Sequence, residues 1–351
     1  MLILSADLGA GHDLPAELLA GALGERGAAA TIADGLDEMG RVTRTMGRSG
    51  AETILRRAPA IFDVQYWLIQ RFGPTRRLGA RLLELAGRRG LLRLVEAERP
   101  DVIVSTYPGT TEVLGRLRRA GLLKVPCVAA ITDLAALRFW AHPGIDRHLI
   151  IHEQSRAEVE AIAGAGADVR HVRGLSRPQF DDPPPRARAR AALGLPAGPI
   201  VLVSGGGWGV GDLRHAADAA RRVGTTPVCL CGTNGALRTR LEHAGVRAEG
   251  FTPRICEWMA AADVLVHSTA GLTVREAELC GTWAISYGWG VGHIRINNAA
   301  YRRFWLAAVA GSRPALEEEI ERALASPRPR PDGAARLPAA ADEVLALATA
   351  R

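Results

Sequence analysis

A histidine follows a short glycine turn near the start of the chain, in the run Gly9-Ala10-Gly11-His12. The turn comes after the apolar run Leu2 to Ala6, which has the length of a buried strand. A histidine at the start of the next helix would stand above the carboxyl edge of a sheet, and its ordinary pKa of about 6.5 suits it to take a proton from a hydroxyl. The pattern predicts a general base at His12, with a purely structural glycine turn as the alternative.

Two runs in the second half have the pattern of anion-binding turns between a strand and a helix. Ser204 to Gly211 contains five glycines around Trp208 and precedes a helix expected from about Asp212, so its backbone amides would face a diphosphate. It lacks the Gly-Lys-Ser/Thr sequence of a P-loop, which argues against an ATPase or kinase. His267 to Glu278 repeats the arrangement and places Glu276 one turn into a helix, where it would accept hydrogen bonds from ribose hydroxyls. Structural turns and a solvated glutamate are the alternatives.

A further glycine-rich loop, Gly288 to Asn298, follows another predicted strand. Polar loops at strand ends often bind ligands, although many only reverse the chain direction. The pattern alone leaves both interpretations open.

Strand-length apolar runs alternate with helix-length segments rich in Ala, Leu and Arg. The predicted strands are Leu2 to Ala6, Val102 to Ser105, Cys127 to Ile131, Arg147 to Ile151, Ile200 to Ser204, Pro227 to Cys231, Val264 to His267 and Trp283 to Tyr287. Continuous apolar strands followed by helices are typical of parallel sheets covered on both faces. The predicted fold class is therefore α/β, with two Rossmann-like, doubly wound parallel sheets.

The proline-rich segment Arg177 to Pro185 interrupts this alternation. Successive prolines fix φ and remove backbone donors, so we predict a stiff, extended connection between two domains. The expected domains are 1–174 and 175–338, followed by a C-terminal helix over 339–351.

Composition limits the class of protein. The chain has 351 residues, a 48% hydrophobic content sufficient for two cores, and five cysteines without metal-ligand spacing, which fits a reducing cytoplasm. The apolar N-terminus lacks a basic leader, and no run reaches the ~18 apolar residues of a membrane span. The net charge of +7 favours an anionic partner, but no nucleic-acid-binding motif accompanies it, so nucleic acid is not expected.

The charge is concentrated in one region. The aromatic run Ile61 to Ile69 precedes a segment from Arg71 to Arg99 in which arginines alternate with leucines. Aromatic residues followed by a basic amphipathic helix are typical of segments that lie on anionic membranes. A core helix with a solvated arginine face is the alternative.

Six motifs occur in a characteristic order. They are Gly9-Ala10-Gly11-His12, Ser105-Thr106-Tyr107-Pro108, Ile131-Thr132-Asp133-Leu134 with Phe139-Trp140-Ala141-His142-Pro143, Gly174 to Phe180, Cys231-Gly232-Thr233-Asn234, and Gly271-Leu272-Thr273 with Glu276-Ala277. Over nearly its whole length the chain resembles GT-B glycosyltransferases. The most similar group comprises monogalactosyldiacylglycerol synthases, diacylglycerol glucosyltransferases and the N-acetylglucosaminyltransferase of the lipid-linked peptidoglycan precursor.

The resemblance implies inverting transfer of a sugar from a nucleoside diphosphate, with UDP expected, to a hydroxyl of a lipid or other hydrophobic acceptor. It implies no metal and no cofactor besides the UDP-sugar co-substrate. His12 is the implied base, with Asp133 either orienting it or serving as the base itself. Implied acceptor-side residues are Gly11, Tyr107 and Trp140, and implied donor-side residues are Gly206, Gly207, Asn234, Phe251, Ile255, Gly271, Leu272, Thr273, Glu276, His293 and Asn297. The expected location is cytoplasmic, including the inner face of the plasma membrane.

Two loops depart from the pattern of this group. Ser268-Thr269-Ala270-Gly271 stands where its members have Lys-Pro-Gly-Gly, and Gly292-His293-Ile294 stands where they have Gly-Gln-Glu. Those loops hold donor-sugar hydroxyls in the group, so the donor sugar is left open, with Arg295 or Asn297 as replacement contacts. The alternative functions are a transferase acting on a soluble secondary metabolite, and a sugar-nucleotide-binding protein or epimerase without transferase activity.

Overall fold

The computed structural model describes residues 1–6, 10–40, 59–269, 271–288, 290, 292–329 and 336–349. The chain divides into two compact units. The first comprises Met1–Ser176, Val291–His293 and Arg336–Arg351, and the second comprises Arg177–Gly290 and Ile294–Ala335. The C-terminal residues from Arg336 onward therefore pack with the first unit.

The first unit contains a six-stranded parallel sheet in the order β2-β1-β3-β4-β5-β6. Its strands are β1 Leu2–Ser5, β2 Thr31–Asp34, β3 Ile103–Ser105, β4 Cys127–Ile131, β5 Arg147–Ile150 and β6 Val169–His171. Because β2 and β3 lie on opposite sides of β1, the order of the strands reverses there. The carboxyl ends of β1 and β3 border the crevice that such a reversal opens.

The second unit repeats this plan with a six-stranded parallel sheet in the order β12-β11-β10-β7-β8-β9. Its strands are β7 Ile200–Ser204, β8 Thr226–Leu230, β9 Arg247–Glu249, β10 Val264–His267, β11 Trp283–Tyr287 and β12 Ala308–Ala310. The strand order reverses between β7 and β10. The loops that follow these two strands are therefore neighbours.

Helices cover both sheets. They are α1 Ala10–Glu25, α2 Gly35–Glu38, α3 Pro59–Arg71, α4 Gly73–Glu98, α5 Pro108–Arg119, α6 Arg156–Ala163, α7 Arg186–Leu193, α8 Leu213–Arg222, α9 Gly235–His243, α10 Ile255–Ala261, α11 Leu272–Leu279, α12 His293–Phe304, α13 Arg313–Ala325 and α14 Ala340–Thr349. Each sheet packs its apolar side chains against helices in a separate buried cluster. The predicted α/β class with two doubly wound parallel sheets is confirmed.

Two details differ from the sequence prediction. Pro178–Phe180 forms a 3₁₀ turn with a buried Phe180 side chain, so the prediction of an extended segment is wrong at these residues. The apolar ring gains more from burial than the prolines gain from an extended chain. The predicted C-terminal helix is present as α14, whereas residues 350 and 351 lie outside the described part of the chain.

Arg328 stabilises the turn between α11 and β11 by several hydrogen bonds. Its guanidinium donates hydrogen bonds to the Gly281 carbonyl at 2.6 Å, to the Thr282 hydroxyl at 3.1 Å and to the Ala262 carbonyl at 3.2 Å. We expect Arg328→Ala to destabilise the protein by about 2 kcal/mol, because charged hydrogen bonds are lost and partly buried acceptors lose their donor. Thermal unfolding measures this, with Arg322→Ala at an exposed position of α13 as the control that should change little. Equal melting temperatures for the two variants would show that the guanidinium contributes nothing.

Candidate active site

The crevice of the first unit contains His12 beside the end of β3. His12 is the third residue of α1, and its Nδ1 lies 3.0 Å from the carbonyl oxygen of Thr106. A carbonyl oxygen only accepts hydrogen bonds, so Nδ1 carries the proton of the neutral ring and Nε2 carries the lone pair. Residues 7–9, which include Gly9 of the predicted turn, lie outside the described part of the chain.

Two aromatic side chains flank the His12 ring. The Tyr107 ring meets it edge to face with centroids 5.2 Å apart, and the Trp140 ring lies 5.7 Å away. Burial lowers the pKa of His12 below its usual range, while the Asp133 carboxylate and the Thr106 carbonyl oppose this shift. The imidazole is therefore neutral near pH 7, as a general base must be.

Asp133 occupies a loop that other side chains hold in place. The Trp140 indole Nε1 donates to the Asp133 Oδ2 at 3.2 Å, and the Glu158 Oε1 accepts from the Leu137 amide at 2.9 Å. A carboxylate fixed near a histidine stabilises the imidazolium that forms when the ring takes a proton. The structure thus brings together His12, Asp133 and Trp140, as the sequence predicts.

Two further residues border this cluster. Gly11 is exposed, and a Cβ at this position would meet nothing within 4 Å, so packing does not require glycine there.

Tyr66 on α3 was not assigned to the site from sequence, yet burial and the charge of Asp133 both raise the pKa of its phenol. Its signal was the concentration of aromatic residues in α3, which the sequence analysis interpreted as either a membrane-binding segment or part of a core helix.

The first predicted donor loop, Ser204 to Gly211, follows β7 as a tight turn. Gly206 and Gly209 have positive φ angles of 66° and 60°. A Cβ at Gly209 would come within 1.9 Å of the Cys231 carbonyl oxygen, and one at Gly206 would come within 2.9 Å of the Thr269 methyl group. Glycine is therefore required at Gly209 both by backbone conformation and by close packing.

Asn234, which lies between β8 and α9, holds this loop in place by hydrogen bonds. Its Nδ2 donates to the Gly209 carbonyl at 3.1 Å, while its Oδ1 accepts from the Leu237 amide at 3.0 Å and caps α9. The carbonyl of Gly207 accepts from the Thr233 amide at 2.9 Å. Both ends of the Asn234 amide are thus engaged within the protein, which gives this residue a role in positioning the loop.

The second donor loop contacts the first. The Ser268 hydroxyl donates to the Val210 carbonyl at 2.7 Å, and a Cβ at Gly211 would come within 2.4 Å of that hydroxyl oxygen. The Asp212 carboxylate caps α8 by accepting from the His215 amide at 3.2 Å. Because this helix start has its own carboxylate, the amides of the turn are the better candidates for holding a diphosphate.

Glu276 is buried behind the second loop. Gly271 precedes α11 with φ 38°, and Glu276, one turn into the helix, is only 7% exposed. Burial raises the pKa of Glu276 to about 8, and the charge of Arg177 opposes this shift. Leu272 and Thr273 in the first turn are half-buried. A buried carboxyl with a strongly shifted pKa beside glycine turns is a candidate ligand-binding group.

The remaining predicted donor residues occupy two other loops. Phe251 is 63% exposed, and Ile255 is the first residue of α10. His293 is the first residue of α12, and Asn297 lies fully buried one turn further along this helix. Residues 289 and 291 of the preceding loop lie outside the described part of the chain.

Comparisons with known sequences point to one group of proteins. The family model for monogalactosyldiacylglycerol (MGDG) synthase matches residues 17–172. The processive diacylglycerol beta-glucosyltransferase of Bacillus pumilus is 26% identical over 211 residues, covering 57% of this chain and 54% of that protein. Monogalactosyldiacylglycerol synthase 1 of Arabidopsis thaliana is 31% identical over 215 residues, covering 55% of this chain and 40% of that protein. The chain thus spans about half the length of these relatives.

Solved structures match along the whole chain. The Streptomyces sp. SF2575 glycosyltransferase SsfS6, complexed with thymidine diphosphate, superposes with a TM-score of 0.62 at 16% identity and 99% coverage of both chains. Acinetobacter baumannii MurG superposes with a TM-score of 0.60 at 15% identity, covering 100% of this chain and 99% of that one. The fold is GT-B. In each unit, some predicted functional residues, such as His12 and Gly206, follow the strands at the reversal of strand order, whereas others, such as Asp133 and Asn234, follow neighbouring strands.

Proposed function

We propose that this protein is an inverting glycosyltransferase that moves a sugar from a UDP donor to a hydroxyl of a diacylglycerol-type lipid. The neutral His12 ring, with its Nε2 lone pair available and Asp133 nearby, carries the proposal. As the acceptor oxygen bonds to the anomeric carbon from the face opposite the nucleotide, its proton passes to Nε2 and the bond to the diphosphate breaks. The Asp133 carboxylate stabilises the imidazolium formed.

The donor side of the proposal rests on the second unit. Glu276 accepts hydrogen bonds from the ribose hydroxyls, and the backbone from Phe251 to Ile255 contacts the uracil. In the glycine turn the Gly206 amide donates to the Ser204 hydroxyl at 3.3 Å, so we place the diphosphate beside the amide of Gly207. Fixed backbone dipoles stabilise the negative charge of the departing nucleotide, so the reaction proceeds without a metal. His293 contacts the sugar, whereas the fully buried Asn297 is assigned no sugar contact.

The lipid acceptor is supported by the surface of α3 and α4 as well as by the named relatives. Leu78, Leu82 and Leu85, which we call the outer stripe, are spaced by one helical turn and are 57% to 64% exposed. On α3, the exposed Trp67 ring packs 5.1 Å from Phe72. An exposed apolar stripe among arginines fits the head groups of an anionic membrane at the cytoplasmic surface.

Nucleotide binding is the most direct test. We expect UDP and a UDP-sugar to raise the melting temperature more than TDP or GDP do, because a ligand that binds only the folded state stabilises it by mass action. Release of UDP should then require both a UDP-sugar and diacylglycerol. If no nucleotide changes the melting temperature, the donor site is wrongly assigned, and isomerised donor without acceptor would indicate an epimerase.

Membrane binding tests the acceptor class separately. We expect vesicles containing anionic lipid to retain the protein. Leu82→Asp in the outer stripe should lower that retention about tenfold, because an apolar side chain no longer inserts and the anionic head groups repel the added carboxylate. Co-sedimentation measures this, with Glu242→Asp on α9 as a control outside this surface. Failure of anionic vesicles to retain the protein would favour a transferase acting on a soluble metabolite. Among the helices in the described part of the chain, none is long and apolar enough to cross a membrane.

A further inference from the structure

Trp305 ends helix α12 in a conformation that glycine normally supplies. Its φ is +57°, and the amide of Leu306 reaches back over it to the Tyr301 carbonyl at 3.1 Å. This hydrogen bond across six residues is a Schellman closure, in which Trp305 holds the left-handed position where glycine is strongly preferred. A bulky side chain there strains the backbone.

Packing does not compensate for this strain. The Trp305 side chain is 89% exposed, which is more than any other large hydrophobic side chain in the described residues. Glycine or asparagine would close the helix with less strain, so the stability of the fold does not explain the tryptophan. Strain combined with exposure points to a role in binding.

The neighbouring charges indicate the kind of partner. Arg302 donates to the Val309 carbonyl at 3.0 Å, and the guanidinium of Arg303 lies over the Phe304 ring, 5.2 Å from its centroid. Both arginines are exposed, and in the described part of the chain neither has a carboxylate within ion-pair distance. Among the described residues, the helix end thus presents an indole beside two arginines that make no ion pair with a carboxylate.

We infer that Trp305, with Arg302 and Arg303, docks the second unit on the surface of a bilayer that contains anionic lipid. This inference rests on the proposed lipid acceptor. A protein interface needs a broad complementary patch, whereas the other exposed large hydrophobic side chain described in this unit, Phe251, belongs to a predicted donor loop. A single indole between head groups needs no such patch, and arginines beside it are attracted to anionic lipid.

The decisive variant is Trp305→Gly, because it should relieve the backbone strain at the helix end while removing the proposed contact of the indole with the bilayer. We expect its melting temperature to be equal to or higher than that of the unchanged protein. Its partition onto vesicles of phosphatidylglycerol and phosphatidylcholine should fall about tenfold. Trp305→Phe keeps an aromatic ring and should retain most of the binding, and Arg303→Gln should lower the partition about fivefold.

Brominated lipid in these vesicles isolates the contribution of one indole among the seven tryptophans of the chain. We expect the unchanged protein to lose more fluorescence than Trp305→Phe does. Equal vesicle partition for the unchanged protein and Trp305→Gly would overturn the inference, and so would a change in oligomeric state of Trp305→Gly without vesicles, which would assign the indole to a protein contact. Both measurements omit the donor, so their failure is distinguishable from a failure of sugar transfer.

Discussion

His12→Ala should lower the rate of sugar transfer by about 10²- to 10⁴-fold, the range that a positioned general base contributes. Nε2 of this ring is the proposed proton acceptor, because Nδ1 lies 3.0 Å from the Thr106 carbonyl oxygen and carries the proton of the neutral ring. Nucleotide affinity should stay unchanged, since the residues proposed to hold the nucleotide belong to the second unit. Initial rates of UDP release at saturating donor and acceptor measure the effect.

A histidine of similar chemistry but different position provides the control. His243 is exposed near the end of α9, and His243→Ala should transfer sugar at the unchanged rate. Because burial lowers the pKa of His12, the acidic limb of the unchanged enzyme's pH profile should lie below pH 6.5 and should be absent from His12→Ala. Full turnover by His12→Ala would exclude it as the base.

Asp133→Asn distinguishes the two roles left open for this carboxylate. If Asp133 orients His12, the variant retains measurable transfer and its acidic limb moves to lower pH, because the charge that raises the pKa of His12 is gone. If Asp133 is itself the base, the variant loses the 10²- to 10⁴-fold that a positioned base contributes and no acidic limb remains. The pH profile of Asp133→Asn therefore assigns the base.

The strands that sequence analysis missed share one position in the fold. β2, β6, β9 and β12 are the edge strands of the two sheets, and all four are short. An edge strand pairs on one side only and keeps exposed or half-buried side chains, as in the exposed residues Thr31 and Ile32 of β2. The continuous apolar run that identifies a central strand is therefore absent from β2, β6 and β9, whereas β4 shows it over its whole length and β7 shows it up to Ser204. The apolar strand β12 has only three residues.

The candidate site divides in a similar way. The turn after β7 was predictable, because glycine residues directly follow an apolar strand in the sequence, and the predicted turn after β1 lies mostly outside the described residues. The place of Tyr66 and the hydrogen bonds of Arg328 were not predictable, because each depends on a partner distant along the chain. Periodicity identifies the elements of a fold, but it carries no information on which side chains meet after the sheet is assembled.

Glu276→Gln should weaken UDP binding by roughly 10- to 100-fold, because the carboxylate would accept charge-assisted hydrogen bonds from ribose that a neutral amide forms less strongly. Calorimetry or a thermal-shift titration measures this. Glu278→Gln is the matched control on the same helix, since Glu278 pairs with Arg275 at 2.6 Å and is assigned no part of the donor site. Its affinity for UDP should be unchanged.

The dependence of UDP binding on pH tests the charge of Glu276 directly. Burial raises its pKa to about 8, so near pH 7 the Glu276 carboxyl is protonated in much of the unliganded protein. This proton must be lost before the carboxylate can accept hydrogen bonds from both ribose hydroxyls. The affinity for UDP should therefore rise with pH up to about 8 in the unchanged protein, and this rise should be absent from Glu276→Gln. Because the folded state keeps a proton that the unfolded state has lost, burial of Glu276 lowers stability as pH rises from about 4.5 to 8, and Glu276→Gln should resist this loss. A stable Glu276→Gln protein that binds UDP with unchanged affinity and the same pH dependence would remove the ribose contact from Glu276.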